Sequence, residues 1–131
     1  MSENSADNHP RIIEVIGQAV DAEANNDAAF AETILTALVE EFPRSALAHG
    51  YLAWIFSRRD RHRAAIEEGR VAIQLEPASE RISMLFFRVL WAAGERNDAL
   101  NEVKRFTAVG HSDEYSMMLE EWARIDDEGS F

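Results

Sequence analysis

The sequence predicts an all-α fold of about seven helices in antiparallel pairs, and three observations predict it. Ala31, Ala65 and Ala99 lie 34 residues apart; so do Asn26, Asp60 and Gly94, and so do Pro43 and Pro77. Three sets of residues in one register mark an internal repeat, whose units stack because none buries its apolar face alone. Apolar residues recur at helical spacing along the chain, whereas no stretch alternates apolar and polar and β-branched residues never cluster.

Each helix has its own local signals. Pro10 suits a first turn, with Asn8 before it as cap, and Ile12, Ile13, Val15, Ile16, Ala19 and Val20 follow. Asn25, Asn26 and Asp27 break that run and offer side-chain oxygens to cap a second helix. Phe30, Ile34, Leu35, Leu38 and Phe42 carry it to Pro43. Ser45 caps a third helix with two stripes, Leu47, Tyr51, Trp54 and Arg58 on one and Ala48, Leu52, Ile55 and Phe56 on the other. A helix apolar on two stripes is packed from two sides. The chain turns at Ser57–Arg63, and Ala64 to Leu75 form a fourth helix closed by Pro77. Ser79 caps a fifth, running through Met84, Phe86, Phe87, Val89, Leu90 and Trp91 to Gly94. Asn97 caps a sixth with Leu100, Val103 and Phe106. Ser112 starts a seventh, whose Asp113 and Glu114 suit a positive helix N-terminus. Its apolar face is Tyr115, Met118, Leu119, Trp122 and Ile125, expected to cap the third repeat, and the acidic tail 126–131 is expected to fray.

The second repeat, about 46–79, resembles a tetratricopeptide repeat. Leu52, Ala53 and Phe56 fall where that motif has Leu-Gly and Tyr, and Ala65, Ala72 and Pro77 match its small residues and closing proline. His49 and Gly69 depart from it, standing where large aromatics are usual. The first repeat, about 12–45, keeps Ala19, Ala31 and Pro43 but has Ala22 for an aromatic and Leu38 for an alanine. The third, about 80–113, keeps Ala99, with Phe87 for the small residue and His111 for the proline. The resemblance implies a right-handed α-α superhelix over residues 10–125, preceded by a flexible segment 1–9 and closed by a capping helix 113–125.

It further implies that the first helix of each repeat lines a concave groove for a peptide or partner helix. The groove candidates are Ile16 and Val20, then Leu47, Tyr51, Trp54 and Arg58, then Arg81, Met84, Arg88 and Trp91. Tyr51, Trp54, Arg58, Arg81, Met84, Arg88 and Trp91 form the partner-binding set, because Trp, Tyr and Arg concentrate binding energy at interfaces. Arginine beside tryptophan suits a protein partner with acidic and apolar side chains. The two indoles fit equally well as inter-repeat core. The carboxylate clamp by which some family members hold chaperone C-termini is not matched: its places carry Ile16, Val20, Tyr51 and Leu85, and only Arg81 suits it.

The formal net charge of −11 argues against nucleic acid, which needs a concentrated basic face. The middle of the chain, 46–110, is nevertheless slightly basic, with ten bases against eight acids. The run Arg58, Arg59, Arg61, His62 and Arg63 reads as a solvated turn, or else as a contact for an acidic segment. No apolar run approaches the ~18 residues of a membrane span. The polar start lacks the order of a secretory signal, and cysteine is absent, so a cytoplasmic setting is expected.

Catalysis has little support. His9, His49, His62 and His111 lie on separate elements without metal-ligand spacing, and glycine is too scarce for a phosphate loop. No enzyme activity, metal or cofactor is expected. The sequence points to an adaptor or chaperone-like scaffold module that binds protein, with structural self-association or assembly docking as the alternative; it leaves homo-oligomerisation open.

Overall fold

The computed structural model describes residues 6–129, and side-chain surroundings from Asp7 to Ile125. Seven α-helices and no strand occur among the described residues. They are α1 (Pro10–Ala24), α2 (Ala28–Glu41), α3 (Ala46–Arg58), α4 (His62–Leu75), α5 (Glu80–Ala92), α6 (Arg96–Thr107) and α7 (Asp113–Gly129), with a 3-10 turn at Ala6–Asn8. Helices α1/α2, α3/α4 and α5/α6 pack as pairs, and successive pairs meet through α2–α3 and α4–α5. The first helices also touch in order, α1 on α3 and α3 on α5.

The backbone repeats with the sequence. Asn26, Asp60 and Gly94 are the residues with left-handed backbone, at φ 64°, 62° and 81°, among the described residues. Glycine has no Cβ to clash there, and short polar Asn and Asp tolerate the conformation best among the others. Each ends a first helix in the same manner. The next amide donates five residues back, Asp27 to Ala22, Arg61 to Phe56 and Glu95 to Leu90, so the helix-end carbonyl is satisfied as the chain reverses. Ser45 and Ser79 then cap α3 and α5 through their hydroxyls, to the amides of Ala48 and Ile82. Ser112 does the same for α7 through Tyr115, one residue short of the 34-residue step.

Small residues hold the helices close. Ala31, Ala65 and Ala99 are all fully buried, each in its own apolar cluster. The two departures from the repeat pattern have local explanations. A Cβ on Gly69 would stand 2.4 Å from Cδ1 of Phe86, so α5 supplies the ring that α4 lacks. His49 is buried in α3 with Nδ1 2.7 Å from Glu68 and Nε2 2.8 Å from the Pro43 carbonyl, joining α4 and the α2–α3 turn.

Helix α7 closes the third pair through Tyr115, which is fully buried against Phe106 and Phe87. Met118, Leu119 and Trp122 pack on the same cluster. Beneath them, buried Glu102 accepts from Ser83 at 2.6 Å and from Arg105 at 2.8 and 2.6 Å.

Several expectations are corrected. The α1 cap is His9, whose Nδ1 accepts from the Arg11 amide, because Asn8 belongs to the preceding 3-10 turn. Asn97 lies inside α6, which begins after Glu95 without a side-chain cap. Ile125 is exposed rather than part of the cap, whose packed residues end at Trp122. The helix runs on to Gly129. The expected flexible N-terminus falls partly outside the described residues, at 1–5; Asp7 within it bonds the Ser45 hydroxyl and the Leu47 amide. Of the acidic tail, residues 130–131 lie outside them.

Candidate functional site

The 34-residue step places three residues of each first helix at equivalent positions: Ile13, Gly17 and Val20; Leu47, Tyr51 and Trp54; Arg81, Leu85 and Arg88. Helices α1, α3 and α5 touch in order, and at the α3–α5 step these positions meet: Tyr51 with Arg81, Leu85 and Arg88, and Leu47 with Arg81. An open hollow of about 440 Å³ lies there. It is lined by Tyr51 of α3, by Glu80, Arg81, Met84, Leu85 and Arg88 of α5, and by Glu114 of α7. A second hollow of about 370 Å³ adjoins through Arg81 and is lined by Leu47, Asp7, Glu76 and Ser79.

Four of the seven expected partner-binding residues thus meet in one place: Tyr51, Arg81, Met84 and Arg88. The other three do not line it. Trp54 is half-buried at the seam between the first two repeats, edge-on to Tyr51 at 6.0 Å, and packs against the cluster that holds Leu85. Arg58 is held by Glu23 of α1 at 2.9 Å. Trp91 is 39% exposed but turns toward α7, stacked on Phe87 at 5.7 Å and on Trp122 at 6.4 Å, with the Arg96 guanidinium 5.0 Å above its ring. On α1, Ile16 is buried in the core. Ile13 is 56% exposed instead, with Val20 at 40%.

Part of the basic surface is neutralised within the chain. Arg59 and Arg61 both reach Glu32 of α2 at 2.9 Å, so two cations of the basic turn are paired inside the chain rather than offered to a partner. Arg11 and Arg105 are paired with Glu41 and Glu102. Arg81 and Arg88 are exposed and make no ion pair among the described residues. They line the hollow beside Tyr51, Met84 and Leu85, where an incoming carboxylate could gain charge-assisted hydrogen bonds.

Sequence reasoning put Leu85 at a groove position but left it out of the partner-binding set, and it missed Glu80 and Glu114 at the hollow and the exposed Ile13. The repeat step itself carried the signal for Ile13 and Leu85, which stand 34 residues from Leu47 and Tyr51. Nothing in the sequence placed Glu114, because it reaches the hollow from a helix outside the repeat. No metal-holding group of three or more His, Cys, Asp or Glu occurs among the described residues. His111 and Asp113 form an exposed hydrogen bond of 2.7 Å at the start of α7. No helix there is long and apolar enough to cross a membrane. No protein-family model matches this chain, and no curated protein is significantly similar to it.

Proposed function

We propose that this chain is a protein-interaction module of tetratricopeptide type, a cytoplasmic adaptor without catalytic activity. In this reading the helix pairs form a right-handed superhelix, and the α1–α3–α5 face is its concave surface. One observation carries the proposal: Arg81 and Arg88, which make no ion pair among the described residues, line one hollow with Tyr51, Met84 and Leu85, whereas Arg58, Arg59 and Arg61 of the basic turn are paired within the chain. A cation left open beside apolar surface favours binding, because its ligand gains contact area and charge together. The repeated backbone supports the family reading, since the three left-handed turns recur at its period.

A photo-crosslinking residue at Met84, compared with one at exposed Thr36 on α2, tests this reading. The expected result is a discrete cross-linked protein at position 84 alone, lost on Arg81→Glu with Arg88→Glu and rebound when that protein is purified. Equal capture at both positions, with no effect of the arginines, would place the interaction elsewhere or remove it. Arg88→Ala should leave the thermal midpoint nearly unchanged, as expected of an exposed side chain without partners.

A further inference from the structure

Helix α7 is tied to the molecule by more than its apolar face. Beneath Tyr115 a line of hydrogen bonds leaves α7, crosses α5 and α6, and ends on the α4–α5 turn. The Tyr115 hydroxyl is bonded to Ser83 of α5 at 2.8 Å, and Ser83 to Glu102 of α6 at 2.6 Å. Arg105 grips the Glu102 carboxylate through Nε and Nη2, and its Nη1 donates to the Pro77 carbonyl at 2.8 Å. Ser83 and Tyr115 are fully buried, and Glu102 is nearly so. A planar guanidinium held at two nitrogens has a fixed direction for the third, so the Pro77 carbonyl is placed by Glu102. Shortly after Pro77 come Ser79, the cap of α5, and Arg81, which lines both hollows. Glu76 and Ala78 line the second hollow from the same turn.

We infer that α7 is a detachable cap, and that its seating is transmitted through Ser83, Glu102 and Arg105 to the α4–α5 turn, which shapes both hollows. That the hollows are a binding site rests on the reading above; the coupling does not. Three features make α7 the element that leaves. It is joined to α6 through residues 108–111, all of them exposed. Tyr115 is the one buried residue among its described residues, and those past Trp122 are exposed. Elements with few buried contacts open at free energies well below that of the whole fold. Finally, the Tyr115 and Ser83 hydroxyls regain water on opening, so their burial opposes departure less than that of apolar groups. Once Tyr115 leaves, Ser83 is free to turn its proton to the Ser79 carbonyl one turn back, the habit of serine within helices. Glu102 then has one donor fewer and opens to water. As the Arg105 fork moves with it, Pro77 loses its bond.

Amide hydrogen exchange of the full chain, read residue by residue by NMR and without any partner, tests this. The reporting amides are Ser79 and Ile82, bonded within the α4–α5 turn to the Glu76 carbonyl and the Ser79 hydroxyl. Ser45 and Ala48, bonded alike to Phe42 and Ser45 at the α2–α3 turn, are the control. Trp122→Ala removes α7 packing outside the hydrogen-bonded line. It should speed exchange at Ser79 and Ile82 about tenfold and leave Ser45 and Ala48 unchanged. Tyr115→Phe, which keeps the ring and removes the hydroxyl, should speed the same amides about threefold. Glu102→Gln with Arg105→Met cuts the line and leaves no buried charge unpaired. In that chain, adding Trp122→Ala should produce no further change at either reporter. Equal acceleration at Ser45 and Ala48 would mark a general loss of stability. Unchanged Ser79 and Ile82, or a Trp122→Ala effect of full size in the cut chain, would show that the turn does not sense α7 through this line. Each of these overturns the inference and leaves the binding reading standing. A turn that responds as expected, while position 84 captures no protein, would do the reverse.

Discussion

The Tyr115 hydroxyl lies 2.8 Å from the Ser83 hydroxyl, and a third group decides which of them donates. Ser83 has one proton and gives it to the Glu102 carboxylate at 2.6 Å, so Tyr115 must donate to Ser83. Burial pushes the Tyr115 phenol up to about 12, which keeps that proton in place throughout the ordinary pH range. Tyr115→Phe removes only the outer donor and should cost about 1 kcal/mol. Ser83→Ala strips a donor from buried Glu102 and the acceptor from Tyr115 together, and should cost about 1–3 kcal/mol. Urea denaturation of both variants checks the order; equal effects would show that Ser83 does not link the other two.

The glycines of α1 and α4 should respond to alanine with opposite signs. Gly17→Ala meets nothing within 4 Å and should stabilise by about 0.5–1 kcal/mol, the usual helix preference for alanine. Gly69→Ala drives its methyl into the Phe86 ring and should destabilise by about 1–3 kcal/mol. Adding Phe86→Leu to Gly69→Ala should recover part of that loss, a coupling that a double-mutant cycle measures.

His49 makes stability depend on pH in a fixed direction. Both ring nitrogens face acceptors, so only the imidazolium satisfies both, and its pKa is raised, chiefly by the Glu68 bond, with burial opposing. A raised folded-state pKa means the contribution is complete below the unfolded value near 6.5 and is lost as pH rises through the folded value. The stability difference between the parent chain and His49→Gln should therefore shrink from pH 5.5 toward alkaline pH. A difference that grows with pH would show that the ring is held neutral.

The three left-handed turns should be interchangeable. Gly94→Ala should cost about 1–2 kcal/mol, the penalty of a Cβ in that conformation. Asn26→Gly and Asp60→Gly should be neutral or slightly stabilising by thermal unfolding, since glycine adopts these angles without strain.

The repeat was legible because turns and close crossings admit few residue types. Asn26, Asp60 and Gly94 announced left-handed turns, and Ala31, Ala65 and Ala99 announced contacts too tight for larger side chains. The site was legible only in part, because a residue type does not reveal which side of its helix is covered. Ile13 and Ile16 look alike in sequence, yet one is exposed and the other buried. Arg58 looked available because its acid, Glu23, lies 35 residues earlier on another helix. Trp91 looked like a groove residue because its stacking partner Trp122 lies in the capping helix, beyond the reach of any repeat comparison.

The inward pairing of Arg58, Arg59 and Arg61 shapes how fast an acidic partner can arrive. These cations are spent on Glu23 and Glu32, so the densest basic stretch of the chain contributes little attractive field outside it. An approaching acidic segment first meets a molecule of net charge −11, and meets Arg81 and Arg88 only within the screening distance of about 8 Å at physiological salt. Salt should thus act oppositely on the two halves of the encounter. Added salt weakens the long-range repulsion and speeds association, while it loosens the arginine contacts and speeds departure. The affinity of such a partner should vary less with ionic strength than either rate constant does.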